Sequence, residues 1–300
     1  MDRCISPVER RVFRGSCVAA LCLAMACGAE QGALDPTGPA ANPEAQPGTR
    51  NHIMPMSNGD QPIVPQAAKT LTYYGGPVLK KVNVIPVYWN SGVQYQSNLN
   101  AFYAAVPNSP HYDMLSQYSG IGRGTRGTPY VDTATTANRT DAQVQAELNR
   151  LFTAGVIPPP NANNYYPVHF PAGMTITASD GSKSCVVFCA YHGTYVRNGV
   201  NVNYGVIPDQ GGGCAGGCGS NAQRVNNLTS VSSHELVEAT TDPAVGLATT
   251  YAPPLAWYNA TYGEIGDICN GQQGSVVGGD GVSYVVQKEW SNARNACITQ

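Results

Sequence analysis

The chain has 300 residues, 42% of them apolar, and its 17 basic and 19 acidic side chains give a formal net charge of −2. This balance provides no basic surface for a phosphate backbone, so it argues against nucleic acid as a partner. Charged residues make up only 12% of the chain, a composition common among exported proteins.

The first 26 residues have the features of a secretion signal. Four arginines precede an apolar run that ends at Ala26 and is too short to span a bilayer. Cys27 follows a small-x-small pattern and also suits a bacterial lipoprotein signal, although Ala24 stands where those signals prefer leucine. We therefore expect an exported protein, either extracellular or an outer-surface lipoprotein; a lipid on Cys27 is the one membrane contact the sequence allows for, and whether Cys27 carries it stays open. Removing this segment takes four of the 17 basic and two of the 19 acidic residues, which leaves a net charge of −4.

The next segment, residues 27–70, is rich in Pro, Ala, Gly, Asn and Gln and has few residues from which a core could form. We interpret it as a flexible tether, and the sequence leaves open whether it includes an inhibitory prosegment. Residues 71–300 have the length and apolar content of one domain with a sizeable core, which we expect to be a monomer.

Six cysteines lie beyond Cys27, and an even number in an exported protein predicts three disulfides. Six cysteines allow fifteen pairings, so the connectivity stays open. A four-thiolate zinc site is the alternative, but oxidation outside the cytosol and the three-residue gaps within its two cysteine pairs disfavour it. The six residues are Cys185, Cys189, Cys214, Cys218, Cys269 and Cys297.

The predicted elements begin with a compact apolar run, residues 78–90, which is typical of a buried strand. Residues 140–155 contain the clearest helix, because Thr140 and Gln143 form a capping box and Gly155 ends it. Short strand candidates separated by turn residues follow at 169–179, 185–196 and 200–209.

A long helix is predicted from about residue 221 to residue 241, where Asp242 and Pro243 end it, and a late strand covers residues 283–290. A strand, a helix, several strands and a long helix bearing a histidine are expected of a zincin-like domain. The predicted fold class is α+β: a single zincin-like domain with a mixed β-sheet, a long metal-binding helix and a loop-rich, disulfide-bonded C-terminal part.

The long helix contains the stretch VSSHELVEATTDP, residues 231–243. His234 and Glu238 are four residues apart and share one helix face within reach of a single ion, while Glu235 points to the neighbouring side. In the HExxH pattern two histidines bind zinc and the first glutamate accepts a proton from water. Glu238 stands in the place of the second histidine. Zinc accepts a carboxylate oxygen as a ligand, and the added negative charge makes calcium or manganese the alternative ions. A partly solvated helix with its charges outward is the competing interpretation.

A distant stretch, YGEIGDICNG at residues 262–271, offers further ligands. Glu264 and Asp267 are three residues apart in a segment that Cys269 anchors. One of them could bind the ion while the other orients His234. The alternative is that both acids cap turns among glycines.

Three more residues have candidate roles. His192 could be a ligand or could polarise a substrate, and a buried histidine bonded to backbone is the alternative. Tyr258 and Tyr262 could donate to an oxyanion, although packing explains a tyrosine in a chain with 17 of them.

Seven stretches occur in a specific order along residues 71–300: YYGGPVLKKVNVIPVYW, SPHYDMLSQY, CVVFCAYHGTY, NYGVIPDQGGGCAGGC, SSHELVEATTDP, AWYNATYGEIGDICNG and the closing YVVQKEWSN. In this order they resemble the EXORDIUM or phosphate-induced family of exported plant proteins and its bacterial relatives. The family pattern maps onto Cys189, His192, His234, Glu235, Glu238, Trp257, Tyr258, Glu264, Asp267 and Cys269. Where the plant pattern has asparagine this chain has Asp242. The difference argues against this position as an obligatory metal ligand. The segment after Gly271 is also shorter here.

The resemblance implies a cell-surface protein linked to growth and nutrient responses, and it implies no established reaction. From the residues we predict a secreted zinc metallopeptidase: His234, Glu238 and one of Glu264 or Asp267 bind the metal. Glu235 activates water, and His192 or Tyr262 stabilises the oxyanion. The alternative is a non-catalytic protein that binds a cell-surface glycan or a protein partner and uses its metal only for structure. A serine or cysteine hydrolase is disfavoured, because no serine lies in a nucleophile-elbow sequence.

Overall fold

Residues 52–57 and 69–300 are described by the computed structural model of this protein, and they all belong to one unit, Ala40–Gln300. The predicted signal peptide and Cys27 lie outside the described residues, as does most of the predicted tether. Among the described residues, no helix has both the length and the apolar character that a membrane span needs.

The described chain forms an α+β fold. Its α-helices are α1 (Gln96–Ala105), α2 (Pro110–Asp113), α3 (Asp141–Ala154) and α4 (Arg224–Thr241). Its strands up to the middle of the chain are β1 (His52–Pro55), β2 (Thr72–Tyr73), β3 (Asn83–Val84), β4 (Val87–Tyr88), β5 (Thr125–Arg126), β6 (Tyr130–Val131), β7 (Arg139–Thr140), β8 (Asn164–His169) and β9 (Ile176–Thr177). The later strands are β10 (Phe188–Arg197), β11 (Val200–Ile207), β12 (Trp257–Tyr258), β13 (Gln273–Val277), β14 (Ser283–Gln287), β15 (Glu289–Ser291) and β16 (Ala296–Ile298).

The main sheet is mixed, as predicted. Its strand order is β1-β10-β11-β8-β3-β5, and β4 pairs with β8 and β6. Strand β10 is antiparallel to both of its neighbours, β1 and β11, whereas β11, β8, β3 and β5 run parallel to one another. Strand β1 therefore forms one edge of the sheet, next to β10.

The predicted bounds of a helix agree with the structure where the sequence contains capping residues, as in α3. In α3 the side chain of Thr140 accepts from the backbone of Gln143, and Thr140 N donates to Gln143 Oε1 at 2.9 Å. Gly155 ends this helix in the left-handed conformation with φ 68°. The single strand predicted at 78–90 is instead two short strands, β3 and β4, because Pro86 lies between them and has no N–H to donate.

Three disulfides join the cysteines, as predicted: Cys185–Cys214, Cys189–Cys218 and Cys269–Cys297. The alternative of a four-thiolate zinc site is wrong, since its four sulfurs are consumed by two of these bonds. Disulfides persist in oxidising compartments, so the bonds indicate an oxidising environment for this domain.

Residues 52–57 correct the interpretation of the whole 27–70 segment as a tether. Strand β1 pairs with β10, and Ile53 and Met54 are each 3% exposed. Met56 N and Ser57 N continue the attachment by donating to the carbonyl oxygens of Val187 and Gly217. A strand of four residues is not stable by itself and forms only when a neighbouring strand edge supplies its hydrogen bonds. The average composition of the 44-residue segment therefore gives no indication of this strand.

Candidate metal centre

Helix α4 is buried along almost its whole length, from Asn227 to Thr241. It lies against β10, β11 and β14. Several of its hydroxyls are satisfied locally or by β14: Ser233 Oγ donates to Ser230 O at 2.7 Å and accepts from Gln287 N at 2.8 Å. The competing interpretation of a partly solvated helix is therefore wrong, because His234, Glu235 and Glu238 are each 0% exposed.

His234 and Glu238 meet on one face of α4. The Nε2 atom of His234 lies 3.1 Å from Glu238 Oε2. The other oxygen of this carboxylate is already used, because Glu238 Oε1 accepts from the backbone N–H groups of Gly266 and Asp267 at 3.2 and 3.1 Å. Glu238 thereby joins the helix to the distant loop and keeps Oε2 directed at the histidine.

The distant loop carries the two acids expected from the sequence. Asp267 begins a short 3-10 helix, Asp267–Cys269, that the Cys269–Cys297 disulfide anchors. Asp267 Oδ2 accepts from Glu264 N at 2.9 Å, while Oδ1 lies 3.8 Å from His234 Nε2. Asp267 is thus the acid of this loop that faces His234.

Glu264 faces two other histidines. Its Oε1 lies 3.6 Å from His192 Nε2, and its Oε2 lies 2.6 Å from Nδ1 of His52 in β1. On its opposite side, His192 Nδ1 lies 3.4 Å from Glu235 Oε2 and 3.6 Å from Glu238 Oε2. His192 therefore bridges the acids of the helix and the acid of the loop.

These residues form what we call the acid–histidine cluster. Within the described part of the chain, nine of its buried nitrogen and oxygen atoms form no hydrogen bond of acceptable geometry, although some of them lie close to a neighbouring carboxylate or imidazole. Buried polar atoms are almost always partnered, and a concentration of unpartnered ones indicates an ion or ordered water. The cluster consists of His52, His192, His234, Glu235, Glu238, Glu264 and Asp267, and the nine atoms belong to all of these except Asp267.

Burial and mutual repulsion disfavour ionised acids in the cluster. Burial raises the pKa of Glu238 to about 7, with Asp267 adding to the rise and His234 opposing it. Burial also raises the pKa values of Glu235 and Glu264 well above the ordinary range. No lysine or arginine of the described residues pairs with a cluster acid, since the arginine ion pairs there involve other carboxylates.

The histidines respond in two ways. Burial lowers the pKa of His52 to about 3 and that of His192 well below its usual value. Burial also opposes protonation of His234, but the carboxylates of Glu238 and Glu235 outweigh it and raise the pKa of His234. A divalent cation would stabilise both kinds of side chain, because it supplies the positive charge that the ionised acids lack and binds imidazole in its neutral form.

The spacing of the donor atoms fits a cation. Three overlapping groups, each with three ligand atoms within 4.8 Å of one another, could hold one: His234/Glu235/Glu238, His192/Glu238/Glu264 and His52/Glu264/Asp267. Two ligands about 2.05 Å from a tetrahedral zinc ion lie about 3.3 Å apart. Several contacts of His234 and His192 with the carboxylates, at 3.1 to 3.8 Å, match that spacing.

Gln287 of β14 holds the ring of His234 from behind. Its Nε2 lies 2.7 Å from His234 Nδ1 and donates to Gly266 O at 2.9 Å. With the amide in this orientation Nδ1 accepts a hydrogen bond, and the proton of a neutral imidazole resides on Nε2, facing Glu238. A cation bound to Nε2 requires the other tautomer, with the amide oxygen of Gln287 turned toward Nδ1.

Gly266 is needed where the loop meets the helix. A Cβ at this position would lie 2.6 Å from His234 Nδ1 and 2.8 Å from Glu238 Oε1. We expect Gly266→Ala to push the loop away, lowering the metal content and the free energy of unfolding by about 1–3 kcal/mol, the usual cost of overpacking. Metal analysis and thermal unfolding measure both effects. Gly216→Ala is the matched control, since its Cβ would meet nothing within 4 Å; equal behaviour of the two variants would contradict the close approach.

The remaining candidate residues, Tyr258, Tyr262 and Asp242, lie outside the acid–histidine cluster. The half-buried ring of Tyr262 has Lys69 Nζ 5.9 Å from its centroid, whereas the ring of Tyr258 lies edge-on to His52 at 5.9 Å. A catalytic role for Tyr262 stays a prediction. Asp242 ends α4, and its Oδ1 accepts from Ala256 N at 2.9 Å, in line with its predicted role as a helix terminator.

Two buried residues near the centre, His52 and Glu289, are not among the candidates that the sequence predicts. His52 lies in a segment whose overall composition resembles a linker, and its signal is the short apolar pair Ile53–Met54 that follows it. Glu289 is 0% exposed with both carboxylate oxygens unpartnered, and burial raises its pKa, with Glu238 and Asp267 adding to the rise. Gln287 and Glu289 are two residues apart, the spacing of one strand face, which was the available signal.

No family model, curated protein or solved structure gave a significant match to this chain.

Proposed function

We propose that this protein is an exported zinc-dependent hydrolase, a peptidase with an HExxE helix on a zincin-like scaffold. The observation that carries the proposal is the acid–histidine cluster, in which four acids and three histidines are buried together without a basic side chain beside the acids. Burying such acids ionised is costly unless a cation neutralises them. Imidazole among the donors favours zinc over calcium, with manganese as a further alternative.

We assign the ligands from the contacts. His234 and Glu238 bind through Nε2 and Oε2, which lie 3.1 Å apart. Asp267 is the third ligand in this assignment, because its Oδ1 lies 3.8 Å from His234 Nε2, whereas Glu264 contacts His52 and His192. Glu235, which groups more closely with His234 and Glu238, is assigned as the base instead. When bound, the zinc ion would polarise a substrate carbonyl and acidify water at the site.

The roles of the protein groups in hydrolysis follow from their positions. Glu235 has two unpartnered oxygens beside the ligands and accepts the proton of the attacking water. In this proposal His192, whose Nδ1 lies 3.4 Å from Glu235 Oε2, stabilises charge on the substrate oxygen, and Tyr262 is kept from the sequence prediction as a further donor. The substrate in this proposal is a peptide or protein outside the cell.

Membership of the EXORDIUM family is part of the proposal. It is supported by the ordered motifs, whose mapped residues His192, His234, Glu238, Glu264 and Asp267 lie within a few ångströms of one another. An outer-surface or extracellular location is supported by the three disulfides.

A second candidate function is a non-catalytic surface protein, binding a glycan or a protein partner, in which the ion only secures the loop to the helix. The burial of the cluster favours it, since its residues are 0 to 8% exposed and a substrate needs access. Both functions predict a bound ion, and they differ in whether Glu235 is needed.

The purified protein tests the proposal by elemental analysis and by hydrolysis of a peptide library. We expect close to one zinc per chain and, at the latest when strand β1 no longer closes the site, hydrolysis that a chelator abolishes and added zinc restores. Metal present without turnover, even after the site is opened as described below, would favour the binding protein. Absence of bound metal would exclude both.

A further inference from the structure

Strand β1 occupies a position that an extended peptide could take. It forms the sheet edge beside β10, with His52, Ile53 and Met54 opposite His192, Tyr191 and Ala190. Extended peptides commonly bind proteins by adding an antiparallel strand to such an edge, with main-chain hydrogen bonds giving affinity and alternate side chains entering pockets. Without β1, the segment of β10 that leads into the cluster would be such an edge.

The side chain of His52 enters the acid–histidine cluster from this strand. Residues directly opposite each other in an antiparallel pair share a face, and the ring centroids of His52 and His192 are 5.9 Å apart. His52 Nδ1 lies 2.6 Å from Glu264 Oε2, and His52 is only 3% exposed. Its imidazole is therefore an additional donor in the centre.

Strand β1 also covers the centre. It contacts α4 directly, and the cluster residues are 0 to 8% exposed. The open pockets of about 580 and 710 Å³ elsewhere in the described chain are lined by residues such as Trp89 and Asn90, and no cluster residue lines them.

We propose that residues 52–55 are a self-bound strand that occupies the peptide-binding edge of β10 and closes the metal centre. The inference rests on the proposed function and specifies its substrate as an extended peptide that pairs antiparallel to Phe188–His192. In this state the chain is latent, because His52 fills a donor position and β1 fills the edge that a substrate needs.

Contacts beyond the strand hold it in place. Met56 N donates to Val187 O at 3.1 Å, and Ser57 N donates to Gly217 O at 2.8 Å. Asn270 Nδ2 donates to Pro55 O at 3.1 Å. A segment of the same chain competes at an effective concentration near the millimolar range, so a free peptide would have to displace it or wait for its release.

The test compares His52→Ala with the wild-type full chain, using two readouts. One is hydrolysis of a peptide library, and the other is the rate at which a chelator removes zinc from the loaded protein, which needs no catalysis. We expect at least tenfold faster zinc removal from His52→Ala and a gain of hydrolysis. A peptide with the sequence NHIMPMS should inhibit that variant at least tenfold better than NAIMPMS.

Two further variants test whether faster zinc removal from His52→Ala has another cause, either misfolding or the loss of any buried imidazole. Ile53→Ala removes a buried apolar contact of β1 and leaves every cluster residue in place, so it should also speed zinc removal. His111→Ala removes another fully buried imidazole, whose Nδ1 bonds to Thr299 O outside the cluster, and should release zinc at the wild-type rate.

The outcomes separate the two ideas. Faster zinc removal from His52→Ala and Ile53→Ala without hydrolysis in any variant would reject the peptidase and keep the closing strand. Wild-type rates in both variants, with no gain of hydrolysis, would show that β1 is a fixed part of the fold. Loss of zinc from folded His52→Ala at equilibrium would make His52 an obligatory ligand and would also overturn the proposal.

Discussion

Glu235→Gln is expected to lower peptide hydrolysis by about 10²–10⁴-fold, the usual contribution of a positioned general base, while the metal content stays at the wild-type level. The amide has the shape of the carboxylate but cannot accept the proton of the attacking water. Our assignment leaves Glu235 outside the metal ligands, so the binding of the ion should not depend on it. Hydrolysis and zinc content are to be measured in both the wild-type and the His52→Ala backgrounds, since the wild-type chain is proposed to be latent.

The matched control is Glu147→Gln, which makes the same chemical change on the surface of α3, where Glu147 pairs with Arg150. It should leave hydrolysis unchanged. Undiminished turnover in Glu235→Gln would discard the proposed mechanism. A loss of zinc in that variant would instead make Glu235 a ligand, as its grouping with His234 and Glu238 allows.

Local patterns predict the centre better than they predict the fold around it. The i, i+4 spacing of His234 and Glu238 is a property of any helix, so their shared face follows from sequence alone. The approach of Asp267 depends on Gly266, whose missing side chain lets two backbone N–H groups reach Glu238. That contact spans almost thirty residues, so the periodicity cannot predict it; the sequence points to it only through two acids beside Cys269 that could complete a two-ligand site.

The parts that could not be predicted depend on partners distant in sequence. Strand β1 has few apolar residues, and its position depends on an edge of β10 more than 130 residues later in the chain. The burial of α4 is a second case, because a helix with this many hydroxyl and charged groups has no strong apolar stripe. Several of its hydroxyls are satisfied by backbone carbonyls of α4 itself and by β14, as Thr229 shows by donating to Val285 O at 2.8 Å.

Removing the metal is expected to lower the free energy of unfolding by about 3–5 kcal/mol at pH 8, the typical cost of stripping one partner from a buried charge cluster. For a domain of this size, that corresponds to a fall of about 6–20 °C in Tm. The reason is that Glu238, Glu264 and their neighbours lose their only cation. Differential scanning calorimetry with and without chelator measures the change.

The pH dependence of this loss has a definite sign. Glu238 has a pKa of about 7 in the metal-free fold against 4.5 as its ordinary value, so the native state binds more protons than the unfolded state between these limits. The contribution of Glu238 to the stability of the metal-free protein therefore falls as pH rises through this window, and its pH dependence disappears below about pH 4.5, where both states are protonated. His52, whose pKa is lowered from 6.5 to about 3, acts in the opposite direction below pH 6.5, so the decline is to be measured from pH 6.5 upward. Bound metal keeps these acids ionised, so the loaded protein should not show this decline.

His234→Ala is the control that ties the effect to the proposed ligands. It should contain no zinc, and chelator should not lower its Tm further, since its cluster is already without the ion. Zinc binding to the wild-type protein should also release protons near pH 6, which an indicator dye can follow. If chelator leaves both the Tm and its pH dependence unchanged in wild type, the buried acids are neutralised by protons alone and no cation belongs in the centre.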